Sequence, residues 1–190
     1  MITLYTASSL DGYIARKDGS IDWLSGGNDS MEDYSQFIAK VDCLVMGRST
    51  YDKVLGFGQW PYTGKPCYVM THTPPPDNPY GVEFISEGVE AFLKSATTRF
   101  NAIWLVGGAT LTEAFLGRGL IDEFNIFIMP ILLGTGIPLF PTNSVERGLV
   151  LKAVTRMEND CIKLTYVNKS AQPAGGAYVS PVAGDPSAHP

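Results

Sequence analysis

The sequence predicts an α/β fold in which a mostly parallel central sheet closes with an antiparallel C-terminal hairpin. Three observations carry this expectation. Short apolar runs that stop at glycine or polar corners alternate with helical apolar spacings up to Gly117. A long alternating segment then runs from Leu120 to Pro130, and two further β-rich segments flank Glu158-Asn159-Asp160. Strands that alternate with helices pair in parallel, and strands joined by a tight turn pair antiparallel.

In chain order, Ile2-Thr3-Leu4-Tyr5-Thr6-Ala7 is an opening, central strand, and residues 8–20 with two Asp-Gly pairs form a long loop over the sheet. Ser30 and Asp33 have the spacing of a capping box, so a helix is expected to start there, with Tyr34, Phe37, Ile38 and Val41 as its buried stripe. Cys43-Leu44-Val45-Met46 is a second strand, and after Gly47-Arg48-Ser49-Thr50 a helical spacing resumes at Tyr51 and Val54. Residues 66–71 and 82–85 are strands, Glu87–Thr98 is an amphipathic helix, and Ile103-Trp104-Leu105-Val106 is a strand buried on both faces. Gly107-Gly108 turns that strand into a helix that ends near Gly117. The segment 131–140 is a glycine-broken loop, and 148–155 and 161–168 make the closing hairpin. Residues 1–168 are read as one domain, and 169–190, rich in Pro, Ala, Gly and Ser, as a disordered tail.

The 190 residues are 45% hydrophobic and 17% charged, an ordinary balance for one globular domain. A net charge of −5 without a Lys/Arg cluster argues against a nucleic-acid partner. Cys43, Cys67 and Cys161 read as buried free thiols of a reducing compartment, and two histidines without a ligand spacing give no metal site. No segment has the length of an apolar membrane span, so a cytoplasmic location is the default expectation.

In parallel sheets, ligands collect at the C-terminal strand ends. Ala7, Gly47-Arg48, Thr71-His72 and Gly107-Gly108 all fall there, and two of these corners open helices whose free N–H groups suit phosphate. Each corner alone is also compatible with a plain turn or a capped helix. Together they point to a dinucleotide, although the GxGxxG pattern is absent.

These segments resemble the dihydrofolate reductase-like superfamily, most closely the reductase domain of the riboflavin-biosynthesis deaminase-reductase. The resemblance is carried by Ser9-Leu10-Asp11-Gly12-Tyr13-Ile14-Ala15, by Val45 through Tyr51, by Trp104 through Leu111 and by Pro130 through Phe140. It implies a three-layer α/β/α fold and NADPH as cofactor. Gly47, Arg48, Ser49 and Thr50 would lie at its phosphates, and Thr71 and His72 beside the adenosine. Val106, Gly107, Gly108, Ala109, Thr110 and Leu111 would close on the pyrophosphate and nicotinamide half, and Ala7 and Ile14 would hold the carboxamide through backbone groups. It also implies a homodimer, for which the strand after Leu120 and the apolar end of the 131–140 loop offer a surface.

For the substrate side, Asp33 resembles the helix acid that assists protonation in folate reductases, or it caps its helix. Asp11 is the second candidate acid. Trp23, Tyr34, Phe37 and Trp60 are either the apolar walls of a substrate pocket or plain core. The expected activity is hydride transfer from NADPH to a small heterocyclic (pterin or pyrimidine-like) or carbonyl substrate. The alternatives are a riboflavin-pathway ribosylaminopyrimidine reductase and a non-catalytic nucleotide-binding protein. The His-x-Glu and Cys-x-x-Cys signature of the zinc deaminase domain does not occur.

Overall fold

A computed structural model describes residues 1–24, 28–141 and 145–169. Its strands are β1 (Ile2–Ser9), β2 (Tyr13–Ala15), β3 (Cys43–Gly47), β4 (Cys67–Met70), β5 (Glu83–Ile85), β6 (Ile103–Gly107), β7 (Glu123–Met129), β8 (Ile137–Pro138), β9 (Leu149–Arg156) and β10 (Ile162–Asn168). Its helices are α1 (Asn28–Lys40), α2 (Arg48–Leu55), α3 (Val89–Ala96) and α4 (Ala109–Gly117). Eight strands form one sheet in the order β5-β4-β3-β6-β1-β7-β10-β9. All pairings from β5 to β7 are parallel, and β10 runs against both of its neighbours, so the sheet is parallel except at the hairpin.

The apolar runs are continuous because each strand serves two layers. In β3 the four residues Cys43 to Met46 are fully buried. Cys43 and Val45 join the cluster holding Val89 and Phe92 of α3 and Leu111 and Phe115 of α4. Leu44 and Met46 face the opposite cluster with Tyr51 and Val54 of α2, against which Tyr34, Phe37 and Ile38 of α1 also pack. The same alternation sends Ile103 and Leu105 of β6 one way and Trp104 the other. The result is the expected three-layer α/β/α arrangement, with α1 and α2 on one face and α3 and α4 on the other.

One local expectation is corrected. The 8–20 and 131–140 segments are not only loops, because Tyr13 and Ala15 pair with Pro138 and Ile137 in a separate two-stranded sheet. Two three-residue-scale strands leave no periodicity to read, and their pairing joins segments more than a hundred residues apart. A close approach at Gly136 makes it possible: a Cβ there would stand 2.3 Å from the Ala15 carbonyl. Helix α1 begins at Asn28, and the capping box expected from Ser30 rests on a side chain outside those described. β7 is flanked by β1 and β10 within the sheet. The tail beyond Lys169 lies outside the described residues.

Candidate functional site

The C-terminal ends of β1, β3, β4 and β6 open into one cleft of about 1260 Å³. Its wall contains Ala7, Ile14, Gly47, Arg48, Ser49, Thr50, Thr71, His72, Val106, Gly108, Ala109, Thr110 and Leu111. Gly107 is buried just behind the wall, with a φ of +109° that favours glycine. The small β2–β8 sheet closes over the cleft through Ile14, Ala15 and Ile137.

Two helices begin on this wall. The N-cap of α2 is Gly47 and that of α4 is Gly108, and neither start has a side-chain cap. Their first-turn N–H groups therefore remain available to an anion, and the helix dipoles favour one. The two corners are tied together, since the Gly108 N–H donates to Thr50 Oγ1 at 2.9 Å. Thus Thr50 uses its acceptor within the protein rather than presenting it wholly to a ligand. Arg48 is similarly committed: its Nε pairs with Asp52 at 2.8 Å, and its Nη1 donates to the Thr73 carbonyl, pinning the segment after β4. Lys53, Arg118 and His72 also line this half, with Arg118 paired to Glu90 at 2.6 Å. Two open helix N-termini with Lys53 and Arg118 in one cleft suit the phosphates of a dinucleotide.

The other half, over β1 and β7, is aromatic. Tyr5, Tyr34, Tyr62, Trp104 and Phe127 line it. Of the four aromatics expected there, only Tyr34 reaches the wall. Phe37 stacks behind Tyr5 at 4.1 Å with rings 10° apart. Trp23 is buried in a third cluster with Phe127, Met129, Met157 and Cys161. Trp60 stacks on Tyr80 at 4.7 Å beside a separate hollow of about 610 Å³. Large aromatic area is better removed from water by the core than left on a rim, and sequence spacing does not separate the two fates.

Asp33 reaches from α1 to β1 and β10. It accepts from Tyr5 Oη at 2.9 Å, and Lys163 Nζ donates to both carboxylate oxygens at 2.8 and 2.6 Å. In every one of these bonds Asp33 is the acceptor. Burial first, and then the Asp33 carboxylate, push the Tyr5 phenol well above its ordinary range, so it stays protonated. The ammonium of Lys163 lies 5.8 Å from the Tyr5 ring centre and 5.5 Å from that of Phe127.

Asp11 stands outside the cleft wall. Its Oδ1 accepts from Ser9 Oγ at 2.6 Å and from the Leu133 N–H at 3.1 Å, and its Oδ2 accepts from the Gly134 N–H at 2.7 Å. The Ser9 hydroxyl and then these amides hold its carboxyl below the usual aspartate range. It is a brace for the loop before β8 rather than a proton donor.

Sequence reasoning passed over Tyr5, Lys53, Arg118 and Lys163. Tyr5 carried a faint signal, standing two residues before Ala7 on the same strand. Lys163 sits in an otherwise ordinary strand, and only the β10–β7 register, Lys163 opposite Phe127, brings it beside Tyr5 and Asp33.

The RibD C-terminal domain family matches residues 88–163. Protein YwjB of Bacillus subtilis strain 168 is 43% identical over 169 residues, covering 86% of this chain and 95% of its own. Protein YyaP of the same organism is 32% identical over 170 residues, covering 80% and 86%. A solved Shewanella sp. PV-4 structure, assigned to riboflavin biosynthesis, superposes with a TM-score of 0.79 at 33% identity, over 88% of this chain and 98% of that one. The Thermotoga maritima diaminohydroxyphosphoribosylaminopyrimidine deaminase/5-amino-6-(5-phosphoribosylamino)uracil reductase shares the fold, with a TM-score of 0.67 at 17% identity over 88% of this chain and 56% of that one. The chain belongs to the RibD C-terminal domain family, within the dihydrofolate reductase-like superfamily.

Proposed function

We propose that the protein is a cytoplasmic, homodimeric, NADPH-dependent reductase of a small planar heterocyclic (pterin or pyrimidine-like) or carbonyl substrate. The observation that carries this is the pair of uncapped helix starts at Gly47 and Gly108 on the wall of one cleft whose other half is aromatic. Bound NADPH would supply the hydride. The chain's own groups bind and orient. The first turns of α2 and α4, with Lys53 and Arg118, hold the cofactor phosphates, and backbone groups at Ala7 and Ile14 hold the carboxamide. Tyr5, Tyr34, Trp104 and Phe127 exclude water and stack a planar substrate. Asp33 keeps the Tyr5 phenol and the Lys163 ammonium in place as an acceptor, and the substrate proton comes from water.

Trp104 lines the cleft, so its fluorescence is a local probe of occupancy. Saturable quenching by NADPH, stronger than by NADH, is expected. No saturable quenching by either nucleotide would remove the cofactor from the proposal. A second reading, a riboflavin-pathway reductase acting on a phosphorylated ribosylaminopyrimidine, is favoured by the activity named for the Thermotoga maritima protein. The homodimer would use the outer strand β9 and its neighbour, where Val154 and Ile162 are exposed, and a monomer by light scattering would refute it.

A further inference from the structure

We infer that the hydroxyls of Tyr34 and Tyr62 read the polar edge of the substrate ring, and that they select a ring carrying two carbonyl oxygens, a pyrimidine dione, over the matching diamine. The inference rests on the reductase reading and narrows its substrate class. Both residues line the cleft, Tyr34 from α1 and Tyr62 from the segment between α2 and β4. Each sets its ring edge-on to Trp104, at 5.9 Å and 67° for Tyr34 and at 5.5 Å and 89° for Tyr62. One indole thus places two phenols on the same wall.

Two neighbouring donors already have partners: Tyr5 Oη donates to Asp33, and Trp104 Nε1 donates to the Tyr5 carbonyl at 3.1 Å. Among the described residues, no group bonds to the hydroxyl of Tyr34 or of Tyr62. Buried hydroxyls are ordinarily hydrogen-bonded, and Tyr62 is only 7% exposed. Tyr51 also lacks a partner, but its hydroxyl is sealed from solvent, and that of Tyr62 is not. Burial raises both cleft phenols above their ordinary range, and the nearby Tyr34 phenol adds to the rise at Tyr62, so both stay protonated. A protonated phenol donates a hydrogen bond more strongly than it accepts one. Two such donors match two carbonyl oxygens, whereas a diamine turns N–H groups toward them. A site built around a hydrogen bond rejects the analogue that cannot complete it. Stacking on the aromatic walls is the same for both rings and does not discriminate.

The test is calorimetric binding, at neutral pH and to the full chain, of lumazine (pteridine-2,4-dione) and of 2,4-diaminopteridine, which share one ring system and differ in the two groups at issue. Wild type is expected to bind the dione about tenfold more tightly. Tyr34→Phe and Tyr62→Phe keep the ring and remove the hydroxyl, so each should weaken the dione about fivefold and leave the diamine little changed. The double variant should erase the preference. Because neither hydroxyl bonds within the protein, no variant should melt below wild type, a result that a structural role would not give. A dione that does not bind, a diamine that binds as tightly, an affinity that neither substitution moves, or a lowered melting temperature in both variants would overturn the inference. NADPH quenching on the same samples reports the reductase reading separately. A cofactor that binds normally beside an absent preference defeats only the substrate assignment, and a cofactor that does not bind defeats the reductase reading itself.

Discussion

The Thr50 hydroxyl accepts the Gly108 N–H at 2.9 Å and so joins the helix start of α2 to that of α4, fifty-eight residues further along the chain. This bond sets the spacing of the two anion-binding corners. Thr50→Val keeps the shape and removes the acceptor, leaving a part-buried N–H without its partner at a cost of about 1–3 kcal/mol. A lower melting temperature and weaker NADPH quenching are expected together. Thr50→Ser retains the acceptor and should restore most of both.

Gly136 is expected to tolerate no side chain. Its Cβ would sit 2.3 Å from the Ala15 carbonyl and 3.2 Å from the Tyr13 side chain. In Gly136→Ala the two strands must separate, with about 1–3 kcal/mol lost to overpacking. Ile14, Ala15 and Ile137 cover the cleft, so the substitution should raise the KM for cofactor and substrate more than it lowers the melting temperature. Amide exchange at residues 13–15 and 137–138 checks the cause directly.

The Asp11 brace makes a pH prediction with a definite sign. Its carboxyl is held below the ordinary aspartate range, chiefly by Ser9 and then by the Leu133 and Gly134 amides. The bonds therefore contribute fully above the unfolded aspartate value of about 3.9 and are lost as pH falls through the lower folded value. Exchange protection at the Leu133 and Gly134 amides should hold at pH 5 and decline below pH 4. In Asp11→Asn that protection should be weak at both.

The thiols should be silent in the native protein. Cys43, Cys67 and Cys161 are buried thiols in no disulfide, and burial pushes the Cys43 and Cys67 thiols up to about 12. A thiolate-directed disulfide reagent at pH 8 is expected to label none of them until denaturant is added, and then all three. Rapid native labelling of any one would show an opening of the sheet that the packed core does not suggest.

The periodicity of the sequence was enough for most of the fold. Four-residue apolar runs at Cys43–Met46 and Ile103–Val106 announce strands covered on both faces, and the glycines after them announce where those strands turn into helices. The helix starts at Gly47 and Gly108, where we propose the nucleotide binds, were readable for the same reason: they are local events within a few residues. The aromatic half of the cleft was not. Tyr5, Asp33 and Lys163 come from β1, α1 and β10, and their meeting depends on strand register and helix rotation, which local pattern does not encode. Asp33 could be named as a candidate from its place on a helix. Its contact with Lys163, 130 residues away, could not be named from that place. The β2–β8 sheet teaches the same lesson, because short strands of ordinary composition become structure only when a distant segment, and one glycine that lets it approach, completes their hydrogen bonds.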